Sequence, residues 1–223
     1  MSFRLVTRAR VRAAGALLAG ALALAACGGE DWSAPHPKPH AIGRLGVGFV
    51  DPAAPPAPEA TIVPTPGSWD AVHPSRGYRV VLLRAGADES TLTLTGAVED
   101  WAAAEHASLK TVDAADPVAG IVRAIGLAPD LVICAGNQLV DALALVTASH
   151  LKQQFLVLGA ELAEPTENVT AADWPGASFR GEGLGMASAY DPATFTRERA
   201  ERAVRAGVAA VLNGITGIVI RLD

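Results

Sequence analysis

Cysteine is scarce in this 223-residue chain, which contains only Cys27 and Cys134. No Cys-x-x-Cys pair is present, so a common spacing for zinc ligands is missing. His36 and His40 lie close together in a proline-rich stretch, but two histidines in a flexible segment seldom hold a metal, and we expect no metal site. Cys134 lies in the apolar run 131–135, where cysteine behaves as a small buried hydrophobic residue.

Recognisable catalytic motifs are also missing. No serine lies in a nucleophile-elbow setting, and none of the five histidines lies in the order of a known triad. No two carboxylates are visibly paired as acid and base. Gly181, Gly183 and Gly185 lack the strand-to-helix context of a dinucleotide-binding loop, so a plain turn is favoured. We therefore expect no catalytic residue, no cofactor and no enzymatic activity.

The chain also lacks a long apolar run and a basic run outside its first residues. The longest apolar stretch, within residues 13–26, is shorter than the roughly 20 residues that a spanning helix needs. Residues 1–26 contain four of the 18 basic residues, which leaves 14 against 23 acidic ones and a net charge of −9 for the remainder. A net charge this negative argues against binding to nucleic acid, and it argues against electrostatic attraction of the whole domain to anionic lipid.

What the beginning of the chain does contain is an export signal. A basic start with Arg4, Arg8, Arg10 and Arg12 is followed by small apolar residues, the pattern of a secretory signal peptide. Leu24-Ala25-Ala26-Cys27 resembles a lipobox, in which the cysteine is acylated before cleavage. We expect residues 1–26 to be a signal peptide and Cys27 to be lipidated, which places the protein on the extracytoplasmic face of the cell membrane. An ordinary secreted protein is the alternative.

Residues 27–76 are rich in proline, alanine and glycine, a composition that favours an extended spacer over a packed core. We expect a disordered tether over this range, with Trp32 and Trp69 available to pack it onto the domain. The folded domain is expected over residues 77–223, enough for one hydrophobic core.

Strand-like and helical patterns alternate through residues 77–223. Strands are predicted at 78–84, 108–112, 130–135, 154–158 and 215–222. A helix is predicted over 95–106, and further helices are expected to be capped by Asp116, Asn137 and Thr196. This alternation predicts an α/β fold with a single doubly wound, mainly parallel sheet.

Several segments of the second half occur in the order seen in a known family. They are PDLVICAG at 129–136, Asp141-Ala142, QFLVLGA at 154–160, the Asn168-Val169 loop and FRGEG at 179–183. In this order they resemble the N-terminal lobe of the basic membrane lipoproteins, the solute-binding proteins of nucleoside-type ABC importers. The resemblance implies a periplasmic-binding-protein-like lobe, a nucleoside-like solute and an ABC permease as partner.

Two departures weaken the expected recognition of a solute. The loop after the first strand retains only Asp88 and Ser90 as plausible ligand contacts, and Asn137 stands where the family often has an aromatic residue. The chain also spans one lobe, so a ligand would be only half enclosed. The resemblance therefore implies weak or altered binding, and the alternative is a non-transport interaction or scaffold lipoprotein of the cell envelope that uses the single lobe.

Any ligand is expected at the carboxyl ends of the strands. Asp88 and Asn137 follow two of these strands and are predicted to face one shallow groove, with Asp141 at its margin. The helix after Asn137 offers free backbone N–H groups there. The alternative is that Asn137 and Asp88 only cap their local turns.

Overall fold

The computed structural model describes residues 31–163, 165–180 and 190–223, without the side chains of residues 179 and 180. The predicted signal peptide, Cys27 and the glycine loop at 181–185 lie outside the described residues, so the structure does not test the predictions made for them. Residues 32–223 form one packed unit.

Seven strands form the central sheet, in the order β2-β11-β9-β7-β6-β4-β5. Every pairing in this sheet is parallel. Its strands are β2 Thr61–Ile62, β4 Arg79–Arg84, β5 Ser108–Asp113, β6 Leu131–Ala135, β7 Phe155–Leu158, β9 Val169–Asp173 and β11 Val219–Arg221. Two small sheets pair β1 Ala41–Ile42 with β3 His73–Pro74, and β8 Ala160–Leu162 with β10 Ser178–Arg180.

Helices cover both faces of the sheet. They are α1 Glu89–Ala104, α2 Pro117–Gly126, α3 Val140–Val146 and α4 Arg197–Leu212, with 3₁₀ turns at Asn137–Leu139, Thr147–Ser149 and Pro192–Thr194. The core under α1 and α4 is separate from the core under α2 and α3. This arrangement confirms the predicted doubly wound α/β fold. In the part of the chain that the structure describes, no helix has the length and apolarity to cross a membrane.

Helix starts follow the capping residues. The Asp116 side chain accepts from the Ala119 backbone N–H at 3.0 Å, and Thr196 accepts from the Arg199 N–H at 3.3 Å, as predicted. The first helix was predicted to begin at Thr95, which is wrong by six residues. It begins at Glu89 because Asp88 caps it.

The strand β9 was missed, since Asn168-Val169 was expected to form a short loop. Its sequence VTAAD carries one large apolar residue, yet all five positions are buried between β7 and β11. Ala172 lies in the core under α4, where its small side chain lets the helix approach the sheet, and Ala171 lies in the core on the opposite face.

The amino-terminal segment, residues 32–76, packs onto the lobe and corrects the expectation of a disordered tether over this range. Trp32, Phe49 and Trp69 are all buried. Phe49 and Trp69 meet edge to face at 6.4 Å between ring centroids and join the core under α1 and α4. The scattered tryptophans supply the apolar area that the proline-rich composition otherwise lacks.

Candidate functional site

The sheet reverses its winding direction between β4 and β6. From β4 the chain passes outward to β5, and then returns across β4 to β6 and β7. Loops that leave the carboxyl ends of β4 and β6 therefore diverge, and ligands of doubly wound sheets bind in the crevice between such loops. A concavity of about 390 Å³ lies here. We call it the switch-point pocket, and its volume falls within the range of small-molecule sites.

Asp88 lies on one wall of this pocket, in the loop after β4. Its carboxylate accepts from the Thr91 backbone N–H at 3.0 Å and from the Thr91 hydroxyl at 2.8 Å. Partial burial raises the pKa of Asp88, but these hydrogen bonds outweigh it and leave the pKa below its usual range. The carboxylate is therefore ionised and largely committed to capping α1.

Asn137 lies on the opposite wall, directly after β6. Gly136 before it has a φ of 115°, and a Cβ there would come within 2.2 Å of the Ala85 carbonyl oxygen, so only glycine fits this bend. Asn137 was expected to cap its helix, which is wrong: no side-chain cap hydrogen bond forms, and Gly136 is the capping residue. Among the described residues, Asn137 Oδ1 is buried and has no hydrogen-bond partner.

A third wall is aromatic and comes from the end of the chain. Tyr190 and Phe195 line the pocket, with ring centroids 5.5 Å apart, and Trp174 supports Phe195 edge to face at 5.0 Å. The Tyr190 hydroxyl donates to the Oγ of Ser90, another lining residue, at 2.9 Å. Asn137 stands where the family resemblance implies an aromatic residue, and the rings that line this pocket come instead from Tyr190 and Phe195, which are distant in sequence. Only the fold shows this proximity.

Asp141 stands apart from the other two predicted residues. It is exposed in the first turn of α3 and does not line the pocket. Asp88 and Asn137 thus share one concavity, whereas Asp141 lies beyond its wall. Whether any of the three binds a ligand stays a prediction.

The charge around the pocket is negative. Asp88 and Glu89 line it, and its described lining contains no arginine, lysine or histidine. Nearby Arg84 donates to Asp113, an ion pair whose hydrogen bond raises the pKa of Arg84 and lowers that of Asp113. Because that cation is already paired, the site suits a neutral or cationic ligand better than an anion.

A buried acidic cluster of Glu161, Asp173 and Arg221 lies at the same edge of the sheet but outside the pocket. Arg221 Nη2 is 3.0 Å from Asp173 Oδ2 and 3.6 Å from Glu161 Oε1. Burial, aided by the Asp173 charge and opposed by Arg221, raises the pKa of Glu161 to about 7. Burial likewise raises the pKa of Asp173 to about 6, again against Arg221. One arginine therefore serves two carboxylates that titrate near neutral pH.

The remaining candidates have structural explanations. Cys134 is fully buried, and burial raises the pKa of its thiol far above the usual range, so it is a core residue as predicted. His36 Nε2 lies 2.9 Å from both carboxylate oxygens of Asp130, which holds the amino-terminal segment in place. Trp101 packs in the core against Tyr78, as expected of a helix position. No cluster of three metal-ligating side chains occurs in the ranges described above.

Two other concavities, of about 620 and 580 Å³, are lined by residues of 47–63 and of 125–153. Both lie outside the crevice between β4 and β6. The switch-point pocket is smaller, but it combines polar atoms from two strand ends with an aromatic wall and an unpaired buried acceptor.

No model of a known protein family and no curated protein matches the chain. Among solved structures, an ABC transporter solute-binding protein from Aeropyrum pernix K1 is 14% identical, with a TM-score of 0.38 over 44% of this chain. A fragment of a provisionally assigned lipoprotein from Peptoclostridium difficile 630 is 15% identical, with a TM-score of 0.43 over 60% of this chain and 98% of the fragment. An ABC transporter solute-binding protein from Conexibacter woesei DSM 14684 is 18% identical, with a TM-score of 0.35 over 43% of this chain.

The match spans 29% and 35% of the lengths of the two solute-binding proteins. With TM-scores below 0.5, these similarities assign no function, and the resemblance to basic membrane lipoproteins stays a prediction.

Proposed function

We propose that this chain is a lipid-anchored binding protein of the cell envelope that holds a small neutral solute in the switch-point pocket. The observation that carries the proposal is that Asn137 lines the pocket and that its Oδ1 is buried without a hydrogen-bond partner among the described residues. A buried acceptor without a donor is costly, by about 1–3 kcal/mol, so such an atom marks a place where a ligand or ordered water donates.

The pocket's chemistry narrows the solute to one that donates hydrogen bonds and has a flat face. Asn137 Oδ1 accepts hydrogen bonds, and the Asp88 carboxylate adds negative charge. Tyr190 and Phe195 offer ring surface beside them. A heterocycle with hydroxyl or amino groups can donate hydrogen bonds to the polar side chains and place its flat face against the aromatic rings. A nucleoside has these groups, and we propose a nucleoside-like solute.

The absence of a cation from the described lining distinguishes a nucleoside from a nucleotide. A phosphate group beside Asp88 and Glu89 would meet like charge, with no arginine or lysine among those lining residues to offset it. We therefore expect nucleosides to bind more tightly than their monophosphates.

The anchoring part of the proposal rests on the sequence. The basic start, the short apolar run and Leu24-Ala25-Ala26-Cys27 support cleavage before Cys27 and its acylation. Two or more acyl chains on one residue suffice for stable membrane attachment. The proposed location is the extracytoplasmic face of the membrane, where an ABC permease is the proposed partner for the bound solute.

Thermal unfolding against a panel of nucleosides and nucleoside monophosphates tests the binding proposal. A nucleoside at 100 times its Kd adds about 2.7 kcal/mol to the free energy of unfolding, a readily measured rise in Tm. We expect at least one nucleoside to raise Tm and its monophosphate to raise it less. A stronger response to the monophosphate would contradict the proposed chemistry.

A second function is favoured by one observation. Both carboxylate oxygens of Asp88 already bond to Thr91, so capping alone explains that residue. If no nucleoside raises Tm at millimolar concentration, the solute-binding proposal fails. The better account is then an envelope interaction protein that uses the lobe as a scaffold.

A further inference from the structure

The chain enters the lobe at the amino-terminal edge of the sheet. Trp32 Nε1 donates to Ser108 Oγ at 2.8 Å, and Ser108 is the first residue of β5. Arg79, the first residue of β4, donates to the carbonyl oxygens of Trp32 and Ala34, each at 2.9 Å. These contacts fix the entry point at the beginnings of two central strands.

The amino-terminal segment continues along the same edge. His36 bonds to Asp130, the residue before β6, at 2.9 Å. Farther on, the Glu59 backbone N–H donates to the carbonyl oxygen of Gly217, shortly before β11, at 2.8 Å. The segment therefore contacts the beginnings of four parallel strands, whereas the switch-point pocket lies at the opposite, carboxyl ends of the strands.

The position of the proposed lipid anchor sets how far this edge can lie from a membrane. Trp32 is five residues after Cys27, and a fully extended chain spans at most about 3.6 Å per residue, or about 18 Å. The pocket lies at the far ends of β4 and β6. At about 3.3 Å per residue, strands of five or six residues place it roughly 20 Å beyond the amino-terminal edge.

Charge distinguishes the two edges. Residues 32–40 and 148–153 form part of the amino-terminal edge, and they contain Lys38 and Lys152 but no aspartate or glutamate. Lys110, the third residue of β5, extends over the Trp32 ring. Lys110 Nζ lies 4.3 Å from the ring centroid of Trp32, and Lys152 is exposed next to Leu151, which is 48% exposed.

Acidic residues occur at both edges, and more of them lie at the edge that holds the switch-point pocket. Exposed acids at the amino-terminal edge include Glu59 and Glu167, and the Asp130 carboxylate there is bonded to His36. The opposite edge carries the exposed Asp88, Glu89, Asp113, Asp116 and Asp141, and its arginines Arg84 and Arg123 both bond to Asp113. Anionic lipid headgroups attract lysines within a Debye length and repel carboxylates, so they favour the first edge over the second.

We propose that the amino-terminal edge, built from residues 32–40 and the loop 148–153, contacts the anionic surface of the membrane that holds Cys27. The switch-point pocket then opens away from the membrane. This inference rests on the proposed acylation of Cys27 and is independent of the solute.

Paramagnetic relaxation on vesicles tests the orientation. The acylated full-length protein is reconstituted into phosphatidylglycerol–phosphatidylcholine vesicles that contain a lipid with a nickel-chelating headgroup. One nitroxide is attached to Leu151→Cys at the amino-terminal edge, or to the matched control Ala87→Cys in the exposed loop after β4. Native Cys134 is buried and is not labelled. We expect headgroup nickel to relax the label at position 151 several-fold more than the label at position 87.

Equal relaxation at the two positions, or more at position 87, overturns the proposed orientation. A flexible insertion of about 20 glycine and serine residues after Asp31 lengthens the reach and should reduce the difference while vesicle binding persists. Cys27→Ser reports on the premise separately. If this variant binds vesicles as well as the acylated protein does, the anchoring proposal fails, and the orientation fails with it.

Discussion

At the scale of single residues, Asn137 and Asn168 show how two asparagines of the same lobe differ in role. Asn168 is fully buried, and its Nδ2 donates to the carbonyl oxygens of Thr147, His150 and Gln153 at 3.3, 3.1 and 2.9 Å. Its Oδ1 accepts from the Thr166 hydroxyl at 2.6 Å. Asn137 Oδ1 has no such partner in the described structure. A satisfied amide holds the fold together, whereas an unsatisfied amide oxygen at a pocket wall is the feature on which the proposed recognition of a solute rests.

Replacing Asn168 should therefore be costly. Asn168→Ala removes the donor for three carbonyl groups ahead of β9, and we expect a loss of about 2–4 kcal/mol in the free energy of unfolding. Urea denaturation measures it. The matched control is Asn213→Ala, which removes one hydrogen bond, to the Ala209 carbonyl oxygen at 2.8 Å, and should cost less than about 1 kcal/mol. If both variants lose the same free energy of unfolding, the hydrogen bonds of Asn168 contribute no more to stability than the single hydrogen bond of Asn213.

The acidic cluster predicts a pH dependence of stability. Burial raises the folded-state pKa of Glu161 to about 7, above its unfolded value near 4.5, so the folded state binds more protons between these pH values. The free energy of unfolding should therefore fall as pH rises from about 4.5 to 7, with Glu161 contributing about 1–3 kcal/mol. Glu161→Gln stays neutral and should flatten this slope in urea denaturation at a series of pH values. A variant with the wild-type slope would disprove the assignment to Glu161.

At the scale of secondary-structure elements, the bends that follow β4 and β6 shape the pocket. Gly136→Ala would place a Cβ 2.2 Å from the Ala85 carbonyl oxygen at a φ of 115°. We expect a loss of stability of about 2 kcal/mol or more and a loss of solute binding, because the loop carrying Asn137 must move. The control is Gly126→Ala at the end of α2, where a Cβ meets nothing within 4 Å and stability should stay equal or rise slightly. Thermal unfolding measures the loss of stability, and solute titration measures the loss of binding. A Gly136→Ala protein as stable as wild type would contradict the predicted steric clash at this position.

The amino-terminal segment is a second element whose contribution is measurable. Trp32 is 6% exposed, bonds to Ser108 and lies against Lys110 and Arg79. We expect Trp32→Ala to cost about 3 kcal/mol in the free energy of unfolding, with cleavage by limited proteolysis moving into residues 32–40. Trp32→Phe keeps most of the ring and should cost less. If Trp32→Ala is as stable and as protease-resistant as wild type, the segment is a tether after all.

The elements that the sequence predicts well are those with a local cause. Asp116-Pro117 and Thr196 mark helix starts through capping, and the apolar run 131–135 predicts the central strand β6. Strand β9 lacks such a run because it carries small alanines, and Ala172 packs under α4. Its burial therefore depends on tertiary contacts, which the local sequence pattern does not indicate. Asp88 and Asn137 were found through the rule for strand ends, but Tyr190 and Phe195 reach the pocket only by tertiary folding.

At the scale of the whole molecule, the two edges of one sheet carry separate tasks. The carboxyl edge holds the switch-point pocket, and the amino edge receives the amino-terminal segment whose chain leads back to Cys27. A rigid parallel sheet joins the two edges, with cores on both of its faces. If the proposed anchoring and solute binding hold, the pocket stays open to its surroundings while the opposite edge is held near the membrane.

Isothermal titration calorimetry of three proteins with the nucleoside that most raises Tm tests the central claim most directly. Wild type and Gln153→Ala, an amide variant at the far edge of the sheet, should bind with the same Kd. Asn137→Ala should bind about tenfold more weakly, since it loses one hydrogen bond to the solute. Unchanged affinity in Asn137→Ala would contradict the claim that this amide in the switch-point pocket recognises the solute.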